Sequence, residues 1–258
     1  MATKPKLASG AVATIDESKG TAMAVPDFMK ADRGMGTEVA DSSDIQTPRI
    51  MLLQSTSDNV LEAFDEAKPG QFWHDMAEMS IGTEAVKMVP IFLEKRVTLW
   101  RPRDDGGGIL ARSSDMIHWT PSNESFTVKL KGKKEPVVWN TSSSIAKSRL
   151  MEWGSSDPDD PNSAPAATLS YNFLMGFPDF PELGPAVLTF QRSSARVARR
   201  LLGKLKMVRA PSFGVMLMVS STKENGPSGS FFNMDVRMSG FVEDPDLYEN
   251  YKAIYEAV

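Results

Sequence analysis

The sequence contains no cysteine, which excludes disulfides, thiolate catalysis and cysteine-based zinc sites. It has two histidines, His74 and His118, each next to a tryptophan and neither near the other. That leaves little material for metal or imidazole chemistry. No apolar run approaches the roughly 18 residues that a membrane helix needs, and the first twenty residues lack the apolar stretch of a secretory signal. No serine elbow, paired-histidine motif or carboxylate cluster for two-metal chemistry is present. Gly106-Gly107-Gly108 lacks the Gly-Lys-Ser/Thr and the following helix of a phosphate loop, so it reads as a hairpin turn. Asp157, Asp159 and Asp160 depart from calcium-loop spacing, and Pro158 and Pro161 mark a rigid turn instead. These gaps predict a non-membrane protein of a reducing compartment, without catalytic activity, metal or cofactor.

A second absence is local. Between Glu182 and Glu224 there is no acidic residue, yet there are eight basic ones: Arg192, Arg196, Arg199, Arg200, Lys204, Lys206, Arg209 and Lys223. Residues 243–258 reverse the balance, with Glu243, Asp244, Asp246, Glu249 and Glu256 against Lys252 alone. The net charge of −4 hides this segregation, which bears on partners.

What is present suffices for a folded domain: 258 residues, 41% of them hydrophobic, can bury a sizeable core. Residues 1–40 are rich in Ala, Gly, Ser, Thr and Lys without sustained apolar periodicity, and read as a flexible arm. The main domain is expected over residues 41–242 and an acidic helix or tail over 243–258. Residues 85–101 read as two strands joined at Glu94-Lys95, with Pro90 marking an edge or bulge. Phe126–Leu130 and Val137–Trp139 have the alternation of a hairpin, and residues 154–165 are almost all turn formers. Further strands are expected at about 168–177, 186–190, 213–221 and 231–238. The chain should end in a short helix from about Asp246. Many short strands with one clear internal helix predict a mainly β, β-rich α+β protein built on a closed or partly closed barrel with long loops.

That internal helix, about 194–207, is the most informative segment. At 100° per residue, Val197, Ala198, Leu201, Leu202 and Leu205 share one face, while Arg196, Arg199, Arg200, Lys204 and Lys206 share the other. Ser193 or Ser194 can serve as its N-cap. Charged outer faces are ordinary, but both signs are usually mixed. Five cations in eleven residues repel one another unless an anion lies nearby, so an anionic partner and a plain solvated face both stay open. Five tryptophans, Trp73, Trp100, Trp119, Trp139 and Trp153, precede the helix. Trp100 is followed by Arg101 and Arg103, and Trp139 follows the Lys129–Lys134 group. Aromatics among cations can stack bases, although tryptophans in a β domain mostly serve the core.

Several stretches carry a family resemblance: DIQTPRIMLLQ (44–54), EAKPGQFWH (66–74), VPIFLEKRVTLWRPRDDGGGILARS (89–113), SYNFLMGFPD (170–179) and PAVLTFQRSSARVARRLLGKL (185–205). Together they resemble proteins encoded by tailed phages and prophages. The group is similar to phage replication proteins that bind single-stranded DNA through an oligonucleotide-binding (OB) barrel. The resemblance implies an OB-like, partly closed barrel acting in DNA replication or recombination in the host cytoplasm. Arg192, Arg196, Arg199, Arg200, Lys204 and Lys206 would neutralise phosphates. Trp100, Trp139 and either Phe231 or Phe232 would stack bases, with Arg101 and Arg103 beside them. The acidic C-terminus would contact replication proteins, and in this chain it is aromatic (Tyr248, Tyr251, Tyr255) and lacks a long acidic run. The alternatives are a virion structural or assembly protein and an inhibitor of a host factor.

Overall fold

The computed structural model describes residues 46–258 apart from 142, 143, 227 and 228, together with positions 35, 36, 39 and 44. The arm expected over residues 1–40 therefore lies almost wholly outside the described residues. Eleven strands and four α-helices follow in order: β1 Arg49–Leu52, α1 Asp58–Leu61, β2 Phe72–His74, β3 Met79–Gly82, β4 Val86–Trp100, β5 Ile109–Ser113, β6 Ser125–Val128, β7 Val137–Asn140, α2 Ile145–Ser148, β8 Ala167–Gly176, β9 Ala186–Gln191, α3 Ala195–Val208, β10 Val215–Gly226, β11 Gly229–Phe241 and α4 Pro245–Ala257.

One sheet runs in the order β11-β10-β4-β8-β9-β1-β2-β3, with β5 added on β4, and β6 and β7 form a separate hairpin. Among these pairs only β1 and β9 run parallel. The sheet curls so that β11 approaches β1 and the residues that follow it. A single core cluster takes Ile50 from β1, Phe72 from β2, Ile81 from β3, Met88 from β4, Phe173 from β8, Leu188 from β9, Leu217 from β10 and Val236 from β11. Residues from both ends of a sheet share one core only if it is rolled on itself. The result is a mainly β, OB-like, partly closed barrel, as expected.

The seam is closed by side chains rather than a ladder. The Gln54 amide donates to the Phe232 carbonyl at 2.9 Å and accepts from the Phe232 backbone N–H at 2.8 Å, at an edge of β11 that has no strand partner among the described residues. Gly70, at φ +92°, lies under the Phe232 ring, and a Cβ there would stand 2.7 Å from it.

Strand β4 is the longest element and differs from the expectation. Residues 86–100 form one continuous strand instead of two. The polar Glu94-Lys95 pair imitates a turn, yet Glu94 pairs with Arg96 at 2.7 Å, and Glu94 and Lys95 stay in register with β8, opposite Asn172 and Tyr171 respectively. Pro90 sits at a bulge between Pro90 and Phe92, where its missing N–H costs no ladder bond. The hairpin read near 126–139 and the later strands appear as β6–β7 and β8 to β11.

Three further clusters surround the barrel. Residues 101–166 pack Leu110, Trp119, Val128, Trp139, Ile145 and Leu150 against Val97 and Leu99 at the far end of β4. The turn-rich loop is tied to the β6–β7 hairpin by Lys133, which bridges Asp157 (2.8 Å) and Asp159 (2.6 Å). This ion pairing holds the Asp157 carboxyl below the usual carboxylate range. Trp73 packs with Leu53, Val60 and Phe64 outside β2. Helix α4 lies on the outer face of β4, where Tyr251, Leu247, Tyr248 and Ile254 meet Val89, Ile91 and Phe213. Burial pushes the Tyr251 phenol up to about 12. Its ring fills the space a side chain would occupy at Gly176, where a Cβ would overlap it.

Two expected outcomes follow from the seam and from His74. Gln54→Ala leaves the Phe232 backbone without its partners and should cost about 1–3 kcal/mol in urea unfolding. His74 is 2% exposed; its Nδ1 accepts from the Ala77 N–H at 3.0 Å and its Nε2 has no partner. Burial lowers its pKa below the usual 6.5, opposed in part by Asp75. The unfolded chain therefore takes up a proton that the folded chain resists. This stability is fully present above about pH 6.5 and is lost as the pH falls below it. His74→Asn keeps an acceptor for Ala77, and its urea midpoint should vary less than that of the wild type between pH 7.5 and 5.5.

Candidate functional site

The basic helix α3 spans residues 195–208 and closes the barrel from one side. Ala198, Leu201 and Leu205 are buried in the barrel core, with Val197 and Leu202 beside them. The Ser194 hydroxyl does not cap α3; it donates to the Gln191 carbonyl and accepts from the Gln191 N–H, both at 2.8 Å, closing the preceding 3-10 turn. Hydrophobic periodicity places the helix correctly, but its entry is organised one turn earlier.

On the outer face, Arg196 reaches Glu224 of β10 at 2.9 Å, and Glu224 also accepts from Asn233 at 3.1 Å. Among the described residues, Arg192, Arg199, Arg200, Lys204, Lys206 and Arg209 pair with no carboxylate. All except the half-buried Lys204 are exposed. Among the described residues the fold thus leaves this one-sign surface uncompensated apart from Glu224.

The expected aromatic half of the site is distributed differently. Trp139 is 3% exposed and donates its indole N–H to the Ser156 carbonyl at 3.2 Å, so it is a core residue and offers no face to a ligand. Trp100 is 38% exposed at the end of β4. Arg101 beside it stands 3.6 Å from Asp105, and Arg103 is exposed in the turn that follows. Trp100 lies seven residues along β4 from Leu93, which packs under α3; at about 3.3 Å per residue that is roughly 23 Å. Phe231 and Phe232 are half-buried, and Phe232 belongs to the barrel seam. Of the two tryptophans singled out by the sequence, one is exposed but remote from α3, and the other is buried.

Aromatic residues do lie near α3, but they come from elsewhere. A cleft of about 320 Å³ opens between the C-terminal half of α3 and β4; Phe92, Leu93, Phe173 and Leu202 line it, and Lys206 and Arg209 bring charge. Phe92 packs on Tyr255 of α4 with ring centroids 6.5 Å apart, and Tyr255 also stacks on Phe213 at 5.3 Å. Tyr255 is 46% exposed. No local signal marks Phe92 or Tyr255, because α4 must first dock on β4 to bring them together.

Among the described residues, no group of three or more His, Asp or Glu is placed to hold a metal ion, and no helix is long and apolar enough to cross a membrane. The architecture defines an OB-like barrel protein with a helix-borne basic face whose cations, Arg196 apart, pair with no carboxylate among the described residues. Residues 18–258 match the family model described as Pam3 phage gp34-like protein, and the chain belongs to this phage family. No curated protein and no solved structure matches it.

Because the outer cations hold no structural partner among the described residues, Arg199→Ala and Arg200→Ala should each change unfolding free energy by no more than about 0.5 kcal/mol. Guanidinium unfolding of the two variants checks that the face is free of structural duty.

Proposed function

We propose that this phage protein binds single-stranded DNA without catalysis and with little sequence preference, in DNA replication or recombination in the host cytoplasm. The observation that carries this reading is the α3 surface: six cations without acidic partners among the described residues, on one side of an OB-like barrel. A surface that repels itself is relieved by a polyanion, and phosphate neutralisation releases counterions in proportion to the number of phosphates engaged. A strand running from α3 to Trp100 along β4 would cover roughly 23 Å, and a single OB fold engages about 4–16 nucleotides. Trp100 and Arg103 then mark the far end of the track. Arg101 contributes less, since Asp105 already engages it.

The test is direct. The purified protein should bind an oligonucleotide of about 20–30 bases more tightly than a duplex of equal length. Changing Arg199, Arg200, Lys204 and Lys206 together to Ala should weaken both. It should also flatten the logarithmic salt dependence for the single strand by about 0.7 for each phosphate no longer neutralised. A wild-type protein that binds no oligonucleotide at low salt overturns the reading. An assembly role for the basic helix would then take its place.

A further inference from the structure

We infer that the cleft between α3 and β4 is a nucleobase subsite, in which an unpaired base enters against Phe92 and Tyr255 while its phosphate rests on Lys206 and Arg209. The inference rests on the single-strand reading and locates the discrimination that reading needs, since cations alone attract duplex as well.

Three observations point to a base rather than an apolar side chain. The first is size and lining. At about 320 Å³ the cleft is at the small end of ligand pockets, which run from about 300 to 1,000 Å³, and suits one heterocycle. Its walls are apolar on the β4 side; Tyr255 does not line the cleft itself but packs on its lining residue Phe92 from α4, with 46% of its own surface exposed.

The second is polarity at the rim. Lys206 and Arg209 have no carboxylate partner among the described residues, so a phosphodiester is the complementary group. The third is the edge of β4 itself. That edge is paired with β10 at Val86–Met88 and with β5 at Val97–Trp100. Between them, Val89–Arg96 has no strand on that side among the described residues. Ser212 donates to the Ile91 carbonyl at 3.3 Å, and Pro90, Phe92 and Leu93 of this stretch line the cleft. Amide donors and carbonyl acceptors alternate along such an edge, so it can meet the polar rim of any base, which matches binding without sequence preference.

The arrangement makes α4 part of the binding surface. Tyr251 anchors the helix between β4 and Gly176, and this anchor sets Tyr255 against Phe92.

The test uses the full-length protein and two readouts. An oligonucleotide carrying 5-iodouracil, irradiated on the wild-type protein, should crosslink to Phe92 or Tyr255. Tyr255→Ala, at an exposed position where the fold should be kept, should lose about 5- to 150-fold in single-strand affinity, the span of one base–aromatic stack. Its duplex affinity should be unchanged, and Tyr255→Phe should retain single-strand binding. If the wild type binds oligonucleotides but crosslinks only at Trp100 or Trp153, and Tyr255→Ala binds normally, the subsite is overturned while the proposed function stands. If no oligonucleotide binds the wild type, both fall together.

Discussion

Strand β4 is the constraint on which the rest of the molecule depends. It pairs with β8 from Val89 to Leu99, too long a run to serve a single core. One end carries the barrel core through Val86 and Met88, and the other carries the cluster of residues 101–166 through Val97 and Leu99. Leu169 of β8 packs against both. The outer face of the same strand seats α4 on Val89 and Ile91. Two cores and two helices therefore share one ladder, and the bulge at Pro90 changes its facing between them. The long strand also explains the gap beside it. β10 pairs with β4 only at Val86–Met88 and β5 only at Val97–Trp100, and the cleft lies beside Pro90–Leu93, where neither pairs.

How much of this was legible in the sequence depends on the range of the interaction concerned. The β6–β7 hairpin could be read from alternation between Phe126 and Trp139, because strand, turn and strand are adjacent. Helix α3 could be read from its period, since Ala198, Leu201 and Leu205 repeat within the helix itself. The continuity of β4 could not, because a charged pair on a solvated strand resembles a turn until β8 is placed beside it. The fate of the tryptophans was equally hidden. Burial of Trp139 is decided by Ser156 and Leu150, in a segment whose composition suggests only loop. The pairing of Phe92 with Tyr255 is a tertiary event between a strand and the last helix, and nothing near either residue announces it.

The basic face and the acidic C-terminus also change meaning once their positions are known. As charges along a chain they suggest a tail that could fold back onto α3. In the structure α4 is held by Leu247, Tyr248, Tyr251 and Ile254 against the outer face of β4, whereas α3 packs into the barrel core. To carry its carboxylates onto α3, the helix would have to withdraw Tyr251 from its seat over Gly176. Removing a buried aromatic of that kind costs on the order of 3–5 kcal/mol when it is truncated to alanine. Attraction between exposed charges is worth about 1 kcal/mol or less per pair and weakens with salt. Packing prevails over charge at this helix. The acids of α4 are held where the fold puts them, and among the described residues Arg199, Arg200, Lys204 and Lys206 of α3 pair with no carboxylate.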